Sequence, residues 1–319
     1  MAGTIFRLGE VQVFIAAEDH PPPHVHARHT AQGWIARFRF SFLSDVAALY
    51  RFKRRGRNPT LRALDDLEEA IVRALPACRA EWWATHGGRH GIGLVNRRIV
   101  TRPEANADGL LAKVPLEPDR GAVTIAAATY DPDTGRVTLA LSDGHQLALT
   151  SGFTSRRQRN GTADEARGGQ LGSSPAQALT QEVLDRAIAT EERLAPGEHQ
   201  AKTAWFDRRR DLVLIHLADG RVFGAERAQI PSLRAASQNQ LGSLQATEDG
   251  AFLFVAELDL HVNVDGLVGR LLEGSPATLQ RVGAGMAGRT RSASKAAAAV
   301  RNGQLGGRPR KLSKAVEVG

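Results

Sequence analysis

The residues most able to do chemistry lie in one run: Asp19-His20-Pro21-Pro22-Pro23-His24-Val25-His26-Ala27-Arg28-His29. It holds four of the ten histidines of a 319-residue chain, with an aspartate in front and three prolines in the middle. Imidazole titrates near neutral pH and also ligates metals, so three readings fit. Asp19, His24 and His26 supply part of a ligand set for a divalent metal, and zinc asks for three or four protein ligands. His20, His24 and His26 supply a catalytic acid/base group. Or the histidines are polar residues of a half-exposed strand and do nothing. No other part of the sequence completes a recognisable catalytic set.

The elements that must position this run are legible around it. Proline fixes φ and pushes the preceding residue into extended geometry, so residues 20–23 form a stiff connector. A strand after it puts His24 and His26 on one face and His29 on the other. Val11, Val13 and Ile15 mark a strand before it. Trp34-Ile35-Ala36-Arg37-Phe38-Arg39-Phe40 marks one after it, with Trp34, Ala36, Phe38 and Phe40 on a shared face. Asn58-Pro59 reads as the start of a helix striped with Leu61, Leu64, Leu67, Ile71 and Leu75; Pro76 kinks or restarts it, and Gly87-Gly88 stops it. The basic turn before that helix makes Lys53, Arg54, Arg55 and Arg57 candidate phosphate ligands.

Asp-His-Pro-Pro-Pro-His-Val-His after a first strand, followed by a Gly-led aromatic strand and a leucine-striped helix, resembles the prokaryotic family called domain of unknown function 4160, over about residues 4–90. That family carries no established activity. It commonly stands beside domain of unknown function 2442, and the resemblance implies a module of the toxin-antitoxin type.

An internal repeat lies further on, offset by 76 residues. Ala128-Thr129-Tyr130-Asp131 aligns with Ala204-Trp205-Phe206-Asp207, and Val137 to Gly144 with Val213 to Gly220. Each copy reads as a three-stranded meander with an Asp-Gly turn, burying Val137, Leu139 and Leu141 or Val213, Ile215 and Leu217. After the first copy, Ser174-Pro175 reads as the cap of a helix carrying Leu179, Val183, Leu184, Ala187 and Ile188. The second copy is similar to domain of unknown function 2442, with Glu257-Leu258-Asp259 in place of the family's Pro-Glu-Leu-Asp-like segment. Glu257 and Asp259 are expected on one face of an extended stretch.

The predicted class is α+β: a small β-sheet-plus-helix domain over 1–100, a linker over 101–120, two β-meander-plus-helix modules over 121–197 and 198–275, and a disordered basic tail over 276–319. The tail explains the charge. It carries nine basic residues and one acid, while the net charge of the whole chain is +8, so residues 1–275 balance. Gly307-Arg308-Pro309-Arg310-Lys311 resembles half of an AT-hook, making Arg308, Arg310 and Lys311 candidate contacts to DNA or RNA. One cysteine, Cys78, and no long apolar run lead to the expectation of a cytoplasmic protein with no membrane partner. Two classes of function follow. One is a nucleic-acid-associated regulatory or antitoxin-like protein that also binds a protein partner. The other is a toxin-like ribonuclease or phosphodiesterase built on the histidine cluster.

Overall fold

The computed structural model describes residues 3–54, 56, 58–94, 97–103, 110–113, 122–150 and 179–273. The described fold belongs to a compact unit, Met1–Gly269; a second unit, Arg270–Gly319, is described only at the end of one helix. The basic tail, the cap expected at Ser174-Pro175, and Arg55 and Arg57 lie outside the described residues.

The first sheet has five antiparallel strands in sequence order: β1 (Thr4–Leu8), β2 (Val11–Phe14), β3 (His24–His29), β4 (Trp34–Phe40) and β5 (Ala47–Arg54). The single strand read over Val11 to Ile15 is thus one arm of a hairpin, turned at Gly9, whose φ of 57° suits a residue without Cβ. Alternation gives the sheet two faces. Val13, Val25, Ala27, Ala36, Phe38 and Phe52 join a core with Leu64, Leu67, Ile71, Cys78 and Trp82 of two helices. Phe14 and Ile35 face the other way and meet Phe252.

The helices are α1 (Leu61–Arg73) and α2 (Leu75–His90), with Pro76 in the first turn of the second, where its missing N–H costs nothing. The cap of α1 is Thr60 rather than Asn58: its Oγ1 accepts from the Ala63 N–H at 3.1 Å. Nor does Gly87-Gly88 stop α2, which runs on to Gly91. A Cβ at Gly87 would sit 2.8 Å from the Trp83 ring, so this glycine makes room for an aromatic side chain inside the helix.

The stretch read as a linker, 101–120, is not one: it holds the end of β6 (Arg98–Pro103) and all of β7 (Leu110–Lys113), which pair with each other, and β6 pairs with β8 (Ala122–Asp131). With β9 (Arg136–Leu141) and β10 (Gln146–Thr150) they form a second five-stranded sheet. Helix α3 (Gln181–Leu194) follows, capped by Thr180, whose Oγ1 accepts from the Val183 N–H. It packs on β5, and Leu179, Leu184 and Ala187 enter the first core together with Tyr130, Val137, Leu139 and Leu141.

The second copy runs β11 (Ala201–Asp207), β12 (Leu212–Leu217) and β13 (Val222–Glu226). Its register repeats the first. The bulge at Ile125/Ala127 recurs at Ala201/Thr203, Tyr130 opposite Val137 recurs as Phe206 opposite Val213, and Gly144 and Gly220 turn at φ 89° and 88°. The face expected to be buried is buried in both copies. A further sheet, β14 (Leu244–Ala246), β15 (Phe252–Val255) and β16 (Leu260–Asn263), packs against β11 and leads into α4 (Val264–Glu273). Glu257 and Asp259 are not in an extended stretch. Residues Ala256–Leu258 form a 3-10 turn and Asp259 is left-handed at φ 45°, a conformation aspartate tolerates, with its carboxylate accepting from the Thr4 N–H and from Gln12 Nε2. Asp259 thereby clamps the β1–β2 hairpin. The class is α+β, and no helix among the described residues is long and apolar enough to cross a membrane.

Candidate functional site

The predicted strand places His24 and His26 on the same face of β3, and the chain before the prolines returns Asp19 to them. His26 Nε2 donates to Asp19 Oδ2 at 2.8 Å, and His24 Nε2 lies 3.5 Å from the same oxygen. His24 Nδ1 donates to the Pro22 carbonyl at 2.9 Å, so the proline connector orients the ring directly. The three side chains are 0–1% exposed. Among the described residues this is the one trio of metal-ligating side chains whose ligand atoms converge, all within 4.8 Å of one another.

The electrostatics follow from that enclosure. Burial pushes the Asp19 carboxyl up, but the facing His24 and His26 imidazoles outweigh it by charge and hydrogen bonding and hold it well below the usual carboxylate range. Burial drives His26 down to about 3 against the opposing pull of Asp19. The two directions fit one state: an ionised Asp19 accepting the Nε2–H of a neutral His26.

The β14–β16 sheet closes the site. Asn263, at the end of β16, donates from Nδ2 to Asp19 Oδ1 at 2.9 Å while its Oδ1 accepts from the Gly266 N–H, so both amide atoms are committed. Phe252 of β15 meets the His26 ring edge-on at 4.8 Å between centroids, and Phe14, between them, stacks on His26 and His261. Beside the cluster, Arg51 bonds Glu191 of α3 and Glu198, and Arg37 lies 3.6 Å from Glu198. Tyr50 Oη is buried, and burial raises it to about 12 against the opposing pull of Arg37.

The other candidates are not drawn in. His20 is partly exposed, its Nδ1 bonds the Pro21 carbonyl, and its ring centroid is 5.6 Å from that of His24. His29 faces the opposite side, near Glu10. Lys53 Nζ reaches the Asp249 carbonyl at 3.5 Å, and Arg54 Nη1 reaches Asn58 Oδ1 at 3.4 Å, so neither converges with the histidines. Arg308, Arg310 and Lys311 lie outside the described residues. Lys53 and Arg28 instead line a cavity of about 410 Å³ with Trp34, Thr247, Asp249 and Phe254.

Asn263, Glu198 and Phe252 were missed in the sequence. A lone asparagine between Val262 and Val264 carries no local signal; only the fold brings it to a residue 244 positions earlier.

No family model matches the chain, and no curated protein matches it. A solved structure, a protein of unknown function from Rhodospirillum rubrum, is 28% identical over 23% of this chain and 87% of its own length, with a TM-score of 0.22.

Proposed function

We propose that this chain is a nucleic-acid-associated regulatory protein of the toxin-antitoxin type, in which a histidine-bearing domain and its antitoxin-like cover are joined in one polypeptide. One observation carries the reading: the β14–β16 sheet, which follows the second copy of the meander, seats on the histidine face, with Asn263 on Asp19 and Phe252 on His26, leaving the cluster without solvent. A free enzyme gains nothing from sealing its acid/base groups, whereas a neutralised one requires it. The resemblance of the two halves to domains of unknown function 4160 and 2442 belongs to this proposal, as does a cytoplasmic setting. The tail from residue 276 supplies the contact to DNA or RNA through Arg308, Arg310 and Lys311, as its unbalanced charge supports.

The ribonuclease or phosphodiesterase reading is favoured by one feature, the Asp19–His26 hydrogen bond of an oriented acid/base pair. It is assigned to the uncovered state, since His24 and His26 have no access to a substrate in the covered one.

The test uses the full chain expressed in a bacterial host. Phe252→Arg places a charge in the seat of the cover and is expected to slow growth and increase RNA cleavage; adding His24→Ala and His26→Ala is expected to restore both. Normal growth and intact RNA with Phe252→Arg would remove the neutralised-toxin part. In parallel, fluorescence anisotropy with labelled duplex DNA and single-stranded RNA compares the full chain with one ending at Ser275. Loss of a salt-sensitive affinity on truncation is expected, and equal affinity of the two chains would remove the tail from the function.

A further inference from the structure

We propose that Asp19, His24 and His26 form a binding site for one divalent first-row transition metal ion of the zinc class. The inference goes beyond the proposed function and does not rest on it.

Hydrogen-bond chemistry carries it. A carbonyl only accepts, so the 2.9 Å contact to Pro22 makes His24 Nδ1 the donor and leaves Nε2 as the ring nitrogen turned toward Asp19. Nε2 is buried and faces Asp19 Oδ2 at 3.5 Å, longer than a good hydrogen bond. An imidazole nitrogen and a carboxylate oxygen converging at this separation in a dry site are placed to share a cation. The carbonyl-anchored imidazole is also the usual second support of a metal-bound histidine, which sets the tautomer and frees the other nitrogen for the ion.

Distances agree. Ligands about 2.0–2.2 Å from zinc at tetrahedral angles lie roughly 3.3 Å apart. The His24 Nε2 to Asp19 Oδ2 separation of 3.5 Å already meets this, and the His26 Nε2 to Asp19 Oδ2 separation of 2.8 Å has to open by roughly half an ångström. His26 joins by carrying its single proton on Nδ1, which has no partner, so Nε2 is released without net loss of a proton.

Charge agrees as well. Glu191 and Glu198 are answered by Arg51 and Arg37, whereas both ion partners of Asp19 are imidazoles. One buried carboxylate therefore lacks a permanent cation. Two imidazole nitrogens and one carboxylate oxygen select zinc and its neighbours over magnesium and calcium, which favour all-oxygen shells.

The experiment takes the full chain stripped with a chelator and titrates it calorimetrically with Zn(II), Co(II), Mg(II) and Ca(II). One Zn(II) per chain, a visible absorption band with Co(II), and no heat from Mg(II) or Ca(II) are expected. His24→Gln should weaken zinc binding by more than about 100-fold, and Asn263→Ala, which frees the Asp19 carboxylate, by about 10- to 100-fold. His29→Gln, on the opposite face, should leave it unchanged. If His24→Gln does not fold, the parent chain decides: zinc must raise its melting midpoint while calcium does not. Absence of stoichiometric zinc binding, or undiminished binding by folded His24→Gln, overturns the site. Because the readout is the ion itself, its failure is separable from failure of the growth or nucleic-acid tests.

Discussion

Acidification should destabilise this fold through histidines that are buried neutral, and His261 isolates the effect. It is fully buried on β16, stacked 4.1 Å from Phe14, with no hydrogen bond to either ring nitrogen. Burial, with the Arg28 guanidinium adding to it, pushes it down to about 3 from an unfolded value of 6.5, against the weaker pull of Asp259 and Asp249. A histidine with a depressed folded pKa binds a proton only when unfolded over that window. Stability is therefore full above pH 6.5 and falls as pH drops from 6.5 toward 3. At pH 5.5 the single site costs about 1.4 kcal/mol relative to pH 7.5. His86, which burial drives down to about 4, and His26 act in the same direction. Glu68 runs the other way, since burial raises its carboxyl to about 7, so the parent protein's pH profile mixes the two signs. A variant removes the ambiguity. His261→Phe keeps the ring and loses the proton site; its stability relative to the parent should rise by about 1.4 kcal/mol between pH 7.5 and 5.5, and Glu68 cancels in the difference. Urea unfolding followed by tryptophan fluorescence reads this as a relative midpoint gain of about 0.5–1 M at pH 5.5. Parallel profiles for parent and variant over this range would refute a neutral, buried His261.

Two further outcomes test how the cover is held. Gly266→Ala would drive a Cβ into the Glu18 backbone carbonyl, which has no flexible side chain to give way, and should cost about 3 kcal/mol. Calorimetry should show a lowered melting midpoint, and hydrogen exchange should show early opening of β16. Arg51→Met leaves the buried Glu191 without its cation and the half-buried Glu198 with Arg37 alone, and should cost about 3 kcal/mol; adding Glu191→Gln should recover most of it in the same denaturation assay.

What was legible in the sequence had a local cause. The strand Trp34–Phe40 has the bounds its alternation implies, because four apolar residues on one face need only one core to satisfy them. The repeat was legible to the residue: an offset of 76 carries Arg136–Leu141 onto Leu212–Leu217 and Gln146–Thr150 onto Val222–Glu226. What was not legible depended on partners distant in the chain. Residues 101–120 read as linker because their prolines and charges say nothing of the strands they enter, β6, which pairs with the distant β8, and β7. Thr60 displaced Asn58 as a cap by two positions, a shift within the reach of either side chain. Glu198 follows Pro-Gly and reads as the end of a helix, yet it closes on Arg51 across 147 positions.

The histidine face shows why alternation alone misleads here. His24, His26, Arg28, Arg37 and Arg39 alternate with apolar partners along β3 and β4, the pattern of a sheet with one wet side. Arg39 is exposed, but His24, His26 and Arg37 are buried, because the sheet is covered twice. The first meander copy and α1 and α2 share the apolar core on one side, and the β14–β16 sheet brings Phe252, His261 and Asn263 to the other. A polar face can be buried only if each group finds a partner in the layer that covers it. Asn263 meets Asp19, Glu198 meets Arg37 and Arg51, and Phe252 accepts the His26 edge and the Arg28 guanidinium, 5.5 Å from its ring centroid. These partners belong to the β14–β16 sheet and to the residue stretch just before the second meander. The first meander copy supplies aliphatic surface to a core, whereas the polar face is matched by chain that flanks the second. Of the buried nitrogens that this matching leaves without a good hydrogen bond, His24 Nε2 and His26 Nδ1 belong to the cluster where a metal ion is proposed; those of His261, Arg28 and Arg51 do not.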